Sequence, residues 1–187
     1  MKLKICGLSR EEDIDAANEA MPDYIGFVFA ESKRRISPAW AMHLRARLRE
    51  GIVPVGVFVN APADDIIALY DAGVIEIAQL HGGEGEDYIA RLPMPAIKAV
   101  KVHESRRTRA DYLLLDSGAG SGKAFDWAQI GQIDRPWFLA GGISLENISK
   151  ALEFRPYAID VSSGAETDGL KDRAKIIALS EKVRRFS

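Results

Sequence analysis

Short apolar runs alternate with amphipathic stretches along the whole 187-residue chain. Eight runs have strand character: Leu3–Cys6, Tyr24–Phe29, Val53–Val59, Ile75–Leu80, Ala96–Val102, Tyr112–Leu115, Trp137–Ala140 and Tyr157–Val161. Most are rich in β-branched residues and nearly continuous in apolar character, as expected of strands covered on both faces. Between them the helical period recurs at Arg10–Ala20, Pro38–Glu50, Ala63–Ala72, Asp87–Arg91, Asp126–Gln132, Ser144–Glu153 and Lys171–Phe186. Ser9 is placed to cap the first of these. Pro38 and Pro62 open two others, and Gly51 and Gly73 close them.

Strict alternation of strand and helix predicts a parallel α/β sheet, either open or closed into a barrel. Eight units favour a closed (β/α)8 TIM barrel. Such barrels take about 250 residues, so this one must be compact, and no linker divides residues 1–187. The shortest connection lies between Val102 and Asp111. Its residues, 103–110, are too few and too basic for a full helix, so the fifth helix is expected to be reduced or missing.

Composition narrows the partners. The formal net charge is -2, which gives no support to a nucleic-acid or polybasic membrane surface. No apolar run approaches the ~20 residues of a membrane span, and the N-terminus has no signal-like apolar core. A single cysteine and three histidines provide neither an internal disulfide nor a four-ligand Cys/His metal centre. A reducing, cytoplasmic location follows. No exposed apolar stripe stands out in the helical patterns, and a monomer is preferred to a homodimer.

Chemistry in such barrels gathers where the strands end at their carboxyl side, and polar groups recur there. Strand one delivers Cys6, followed by Gly7. Strand two leads into Lys33-Arg34-Arg35. Strand four ends at His81, strand six at Asp116, and strand eight carries Asp160. Gly141-Gly142 follow strand seven, with Ser144 at a predicted helix start, and Ser162-Ser163-Gly164 follow strand eight. Small residues and clustered backbone N–H groups at these last two loops suit a phosphate. Gly141, Gly142, Ser163 and Gly164 are therefore the candidate phosphate cradle, and a phosphorylated small molecule is the expected substrate. The run Gly118–Lys123 is not a nucleotide-binding loop: Ser117 stands where the first glycine is needed, and Ala124 follows the lysine. It reads as a mobile lid, with Phe125-Asp126-Trp127 anchoring the next helix.

Taken together, these residues resemble the phosphoribosylanthranilate isomerases of tryptophan biosynthesis. The resemblance is carried by Lys4-Ile5-Cys6-Gly7, Gly26–Phe29 with Ser32-Lys33-Arg34, and Val55–Asn60. It continues through Gln79–Gly82, Leu115-Asp116, Gly120–Lys123 with Phe125–Trp127, Gly141-Gly142 and Asp160–Gly164. It implies a cofactor-free Amadori rearrangement of an aminoaldose to an aminoketose, with no metal. Asp116 would be the acid that opens the furanose ring, and Cys6 the base that removes the C2′ proton. Arg34 would hold the anthranilate carboxylate, Asp160 would orient a substrate amine or hydroxyl, and His81 would support the site. The acid must hold a proton near neutrality, whereas a cysteine base must lose one, and nearby cations could favour that loss. Two alternatives stand beside this reading. One is another phosphosugar isomerase or epimerase on the same barrel; the histidine-pathway enzyme pairs aspartates at the ends of strands one and five, where this chain has Cys6 and Val102. The other is a non-catalytic phosphosugar-binding derivative.

Overall fold

The structure, a computed structural model, describes residues 1–101, 107–116, 130–131 and 133–186. Eight parallel strands, β1 (Lys2–Cys6), β2 (Tyr24–Val28), β3 (Val53–Phe58), β4 (Ile77–Leu80), β5 (Ala96–Val100), β6 (Tyr112–Leu115), β7 (Trp137–Leu139) and β8 (Ala158–Val161), pair in chain order. β8 returns to pair with β1, with Lys4 in register with Asp160, and the sheet closes into a barrel. The helices α1 (Glu11–Ala20), α2 (Pro38–Arg47), α3 (Ala63–Asp71), α4 (Glu86–Ile89), α5 (Ile148–Glu153) and α6 (Arg173–Phe186) lie between and after the strands.

Period-two alternation sorts the side chains of each strand to opposite faces. Residues such as Ile5, Ile25 and Ile159 face outward and pack against the helices in the main core. Tyr24, Val55, Ile77, Ile97, Leu114 and Phe138 fill the barrel interior. Above them a small apolar group of Cys6, Val28 and Val57 forms its own layer. Lys4 also stands on β1, fully buried, where an apolar side chain would be routine.

Several expected details differ. Ser9 does not cap α1. The buried carboxylate of Asp13 reaches back instead and accepts from the backbone N–H groups of Ser9 (2.9 Å) and Arg10 (3.1 Å), the arrangement of an inverted cap. Ser37 does cap α2, accepting from the Trp40 N–H, with Pro38 in the first turn. α5 begins at Ile148, not Ser144, because Asn147 turns the intervening residues by accepting from the Ser144 N–H and donating to the Gly142 carbonyl. Between β5 and β6 the described residues 107–111 hold no helix, and Arg135 pins this connection through the Thr108 and Ala110 carbonyls. The predicted lid at 118–123 and its anchor at 125–127 lie outside the described residues, as does nearly all of the predicted helix Asp126–Gln132.

An antiparallel hairpin, β9 (Glu166–Thr167) and β10 (Leu170–Lys171), precedes α6 where the sequence pattern starts that helix at Lys171. Asp168 and Gly169 form its two-residue turn, both with positive φ (52° and 80°), as a right-twisted hairpin favours. The α2 surface exposes Met42, which with Val59 borders an apolar groove between α2 and α3. No helix among the described residues is long and apolar enough to cross a membrane.

Candidate active site

A cavity of about 690 Å³ opens at the carboxyl mouth of the barrel. Cys6, Arg34, His81, Asp116, Asp160, Gly141, Gly142 and Ser163 all line it, brought there from six strands and the loops that follow them. Gly164 does not border it. A Cβ at that position would lie 1.9 Å from the Ile143 carbonyl oxygen, so this glycine lets the loops after β7 and β8 touch, in a bridge between Ser144 and Gly164. Its contribution is to hold the Gly141-Gly142 and Ser162-Ser163 segments side by side.

Three polar clusters furnish the cavity. In the first, Lys4 Nζ donates to Asp160 Oδ2 at 2.9 Å across the seam that closes the barrel. Burial opposes the charge on Lys4, yet Asp160 and the neighbouring Cys6 outweigh it and raise its pKa. Asp160 Oδ1 is buried with no hydrogen-bond partner among the described residues, an acceptor left over at the cavity wall. Burial pushes the Cys6 thiol up from its ordinary 9.0, with Lys4 pulling the other way. The expected gain in thiolate is therefore not seen: desolvation of the sulfur exceeds the help of the cations around it. The Ser162 hydroxyl donates to the Cys6 carbonyl, tying the loop after β8 to the end of β1.

In the second cluster, the Gln79 side-chain amide donates to His81 Nδ1 (3.1 Å), and His81 Nε2 lies 3.2 Å from Asp116 Oδ2. An imidazole that accepts at Nδ1 carries its hydrogen on Nε2, so a neutral His81 donates to Asp116. Asp116 itself follows β6, its N–H bonded to the Val100 carbonyl at the end of β5. Its side chain is partly exposed to the cavity.

The third cluster was not foreseen. The Arg34 guanidinium is forked onto Glu166, Nε to Oε1 at 2.5 Å and Nη2 to Oε2 at 2.9 Å. Lys171 Nζ donates to the same Oε1 at 2.6 Å and to the Ser162 carbonyl at 3.1 Å. The three consecutive cations of the loop after β2 thus separate: Arg34 turns inward, Lys33 is mostly exposed near Glu166, and Arg35 pairs with Glu31. Gly7 makes room for Arg34. It holds φ at +84°, and a Cβ there would meet Arg34 Cδ at 2.4 Å. Lys4, Gln79, Glu166 and Lys171 had no assigned role in the sequence reading. Only the hairpin gave a local signal, Asp168-Gly169 between Glu166-Thr167 and Leu170-Lys171, which sets Glu166 and Lys171 opposite one another.

Burial alone would raise the pKa of Glu166, but hydrogen bonds from Arg34 and Lys171 hold it down at about 2, against an ordinary 4.5. Because the folded-state value is the lower one, this stabilisation is complete above about pH 4.5 and is lost as pH falls toward 2. Denaturant unfolding of wild type and Glu166→Gln across pH 2.5–7 checks this. The stability difference between them should be constant above pH 5 and shrink below pH 4.5; a difference that ignores pH would remove the ionised carboxylate from the account.

A closed parallel barrel with a polar, cation-bearing cavity at its carboxyl mouth defines a βα-barrel enzyme for an anionic substrate. The family model described as N-(5'phosphoribosyl)anthranilate (PRA) isomerase matches residues 3–182. The N-(5'-phosphoribosyl)anthranilate isomerase of Endomicrobium trichonymphae is 47% identical over 189 residues, covering 94% of each chain. The crystal structure of the phosphoribosyl anthranilate isomerase from Thermus thermophilus superposes over 100% of both chains with a TM-score of 0.87 and 34% identity. A phosphoribosyl anthranilate isomerase solved in complex with reduced 1-(o-carboxyphenylamino)-1-deoxyribulose 5-phosphate gives a TM-score of 0.83 at 31% identity over 99% of each chain. This chain belongs to the N-(5'-phosphoribosyl)anthranilate isomerase family.

Proposed function

We propose that Cys6 and Asp116 carry the two proton transfers of the family's reaction in this chain. The enzyme is an isomerase of tryptophan biosynthesis. It converts N-(5-phosphoribosyl)anthranilate to 1-(2-carboxyphenylamino)-1-deoxyribulose 5-phosphate. Asp116 gives its proton to the furanose ring oxygen; the C1′–O bond breaks, and the anthranilate nitrogen forms a Schiff base with C1′. The Cys6 thiolate then removes the C2′ proton, leaving an enolamine. Protonation at C1′, by the proton Cys6 took from C2′, and loss of the enol proton to the Asp116 carboxylate give the ketone and restore both groups, so atoms and charge balance over the cycle. His81, presented by Gln79, keeps a hydrogen bond on Asp116 as its charge changes. The Oδ1 of Asp160, without a partner among the described residues, accepts from a substrate N–H or O–H, and its other oxygen stays on Lys4. Gly141, Gly142 and Ser163 cradle the phosphate, with Gly164 holding their loops together.

The observation that carries this reading is that Cys6 and Asp116, 110 residues apart, border one cavity together with Arg34 and the two small-residue loops. The relative solved with a reduced carboxyphenylamino-deoxyribulose phosphate supports the substrate class. The sequence pattern favours a cytoplasmic location and a monomer over a homodimer, and the proposed proton transfers need no cofactor. An assay of the purified chain for loss of phosphoribosylanthranilate fluorescence, with no metal added, tests it. Catalysed loss of signal is expected, and a rate no faster than the spontaneous one overturns it.

Arg34 contributes to binding. A hydrogen bond between charged partners is worth about 1.5–3 kcal/mol, so Arg34→Ala should raise KM about 10- to 100-fold with a smaller change in kcat. Steady-state kinetics decide. An unchanged KM would reduce Arg34 to a link between its loop and Glu166.

A further inference from the structure

A guanidinium has two forks, one formed by Nε and Nη2 and the other by Nη1 and Nη2. In Arg34 the first is fully used by Glu166. The second has no partner among the described residues, and the side chain borders the cavity. We infer that Glu166, clamped by Lys171, is the residue that positions Arg34, turning its remaining fork toward the aryl carboxylate of the substrate and so setting the preference for a carboxylated arylamine. The inference rests on the binding role given to Arg34 above and names the group that makes that role selective.

Charge and rigidity both support it. Lys33, Arg34 and Lys171 surround the single carboxylate of Glu166. The cluster keeps a formal surplus of two positive charges, so Glu166 orients Arg34 without neutralising the site. The backbone that carries Glu166 is tied as well, because Lys175 Nζ donates to its carbonyl at 2.7 Å. The stem of Arg34 is fixed separately by its passage over Gly7. Of the rotamers open to a free arginine, few remain, and a planar carboxylate meets a fork already in place.

The test uses two probes: the reduced carboxyphenylamino-deoxyribulose phosphate, and its anilino counterpart lacking the carboxylate. Titration of wild type should show at least ~10-fold tighter binding of the carboxylated probe, the lower range for one charge-assisted hydrogen bond. Glu166→Gln should cut that preference to about threefold or less, leaving the anilino probe within about twofold of wild type. Lys171→Gln, which keeps Glu166 but loosens it, should lie between; it also serves if Glu166→Gln loses its circular dichroism spectrum. Equal weakening of both probes would make Glu166 a mere tie between loops, and an undiminished preference would remove it altogether; either outcome overturns the inference. Failure of the underlying reading looks different: Arg34→Ala would then retain the full preference for the carboxylated probe.

Discussion

Asp116→Asn should lower kcat by at least ~10², the lower range for loss of a general acid, while KM should change much less. Asparagine matches aspartate in shape and can still accept from His81 Nε2, so the hydrogen bond of 3.2 Å has a successor in the variant. What it lacks is a proton to transfer. The furanose ring oxygen is a poor leaving group without one, and the side-chain amide of the variant cannot supply it. The Asp116 side chain is about 30% exposed and its N–H joins the β5 end through the backbone, so the substitution leaves the barrel closed. Steady-state kinetics on the aminoaldose, with circular dichroism as the fold control, measure the effect. Turnover near wild type would take Asp116 out of the acid's place.

The barrel was legible because each of its strands advertises itself locally. Runs such as Val53–Val59 and Tyr112–Leu115 are apolar on both faces, and the helices between them repeat at 3.6 residues, so the alternation needs no knowledge of distant contacts. The rim was legible for the same reason: once strand ends are located, Cys6, His81, Asp116 and Asp160 fall at one mouth. Partners were not legible. Lys4 and Asp160 are 156 residues apart and meet only because β8 closes on β1, so a lysine inside an apolar strand gave no hint of its carboxylate. Arg34 and Glu166, 132 residues apart, meet through a hairpin that the helical pattern of the following segment obscured. Local competition explains the smaller differences. Ser9 was a sound cap by type, but Asp13 offers a charged acceptor in the first turn. Ser144 lost its place at a helix start because the Asn147 side chain captured its N–H.

These unseen partners alter the chemistry more than the fold. With Lys4 and Asp160 paired beside it, Cys6 is only 8% exposed at the cavity wall, and its thiol is harder to ionise than an exposed one. In the proposed mechanism such a base is strong once formed but scarce at rest, so the thiol proton must leave before C2′ can react. Asp116, the acid of the proposed mechanism, lies across the same mouth with a side chain about 30% exposed. The two groups to which these roles are assigned therefore sit in different environments.

Cys6→Ser should lower kcat by at least ~10² and is the sharper probe of that separation. Serine fills nearly the same volume at a position only 8% exposed, within a small layer of Val28 and Val57 that tolerates it. Its hydroxyl, however, does not ionise in the accessible pH range, so no increase in pH can restore the base. Wild type should behave in the opposite way. Since burial raises the thiol, its thiolate fraction grows with pH through neutrality into the alkaline range. Asp116 titrates alike in both proteins, so the ratio of wild-type to variant kcat/KM should climb over that interval. Comparable turnover in wild type and Cys6→Ser, or a ratio that ignores pH, would show that the C2′ proton goes elsewhere. Asp160 Oδ1, buried at the same wall without a partner among the described residues, would then be the acceptor to test.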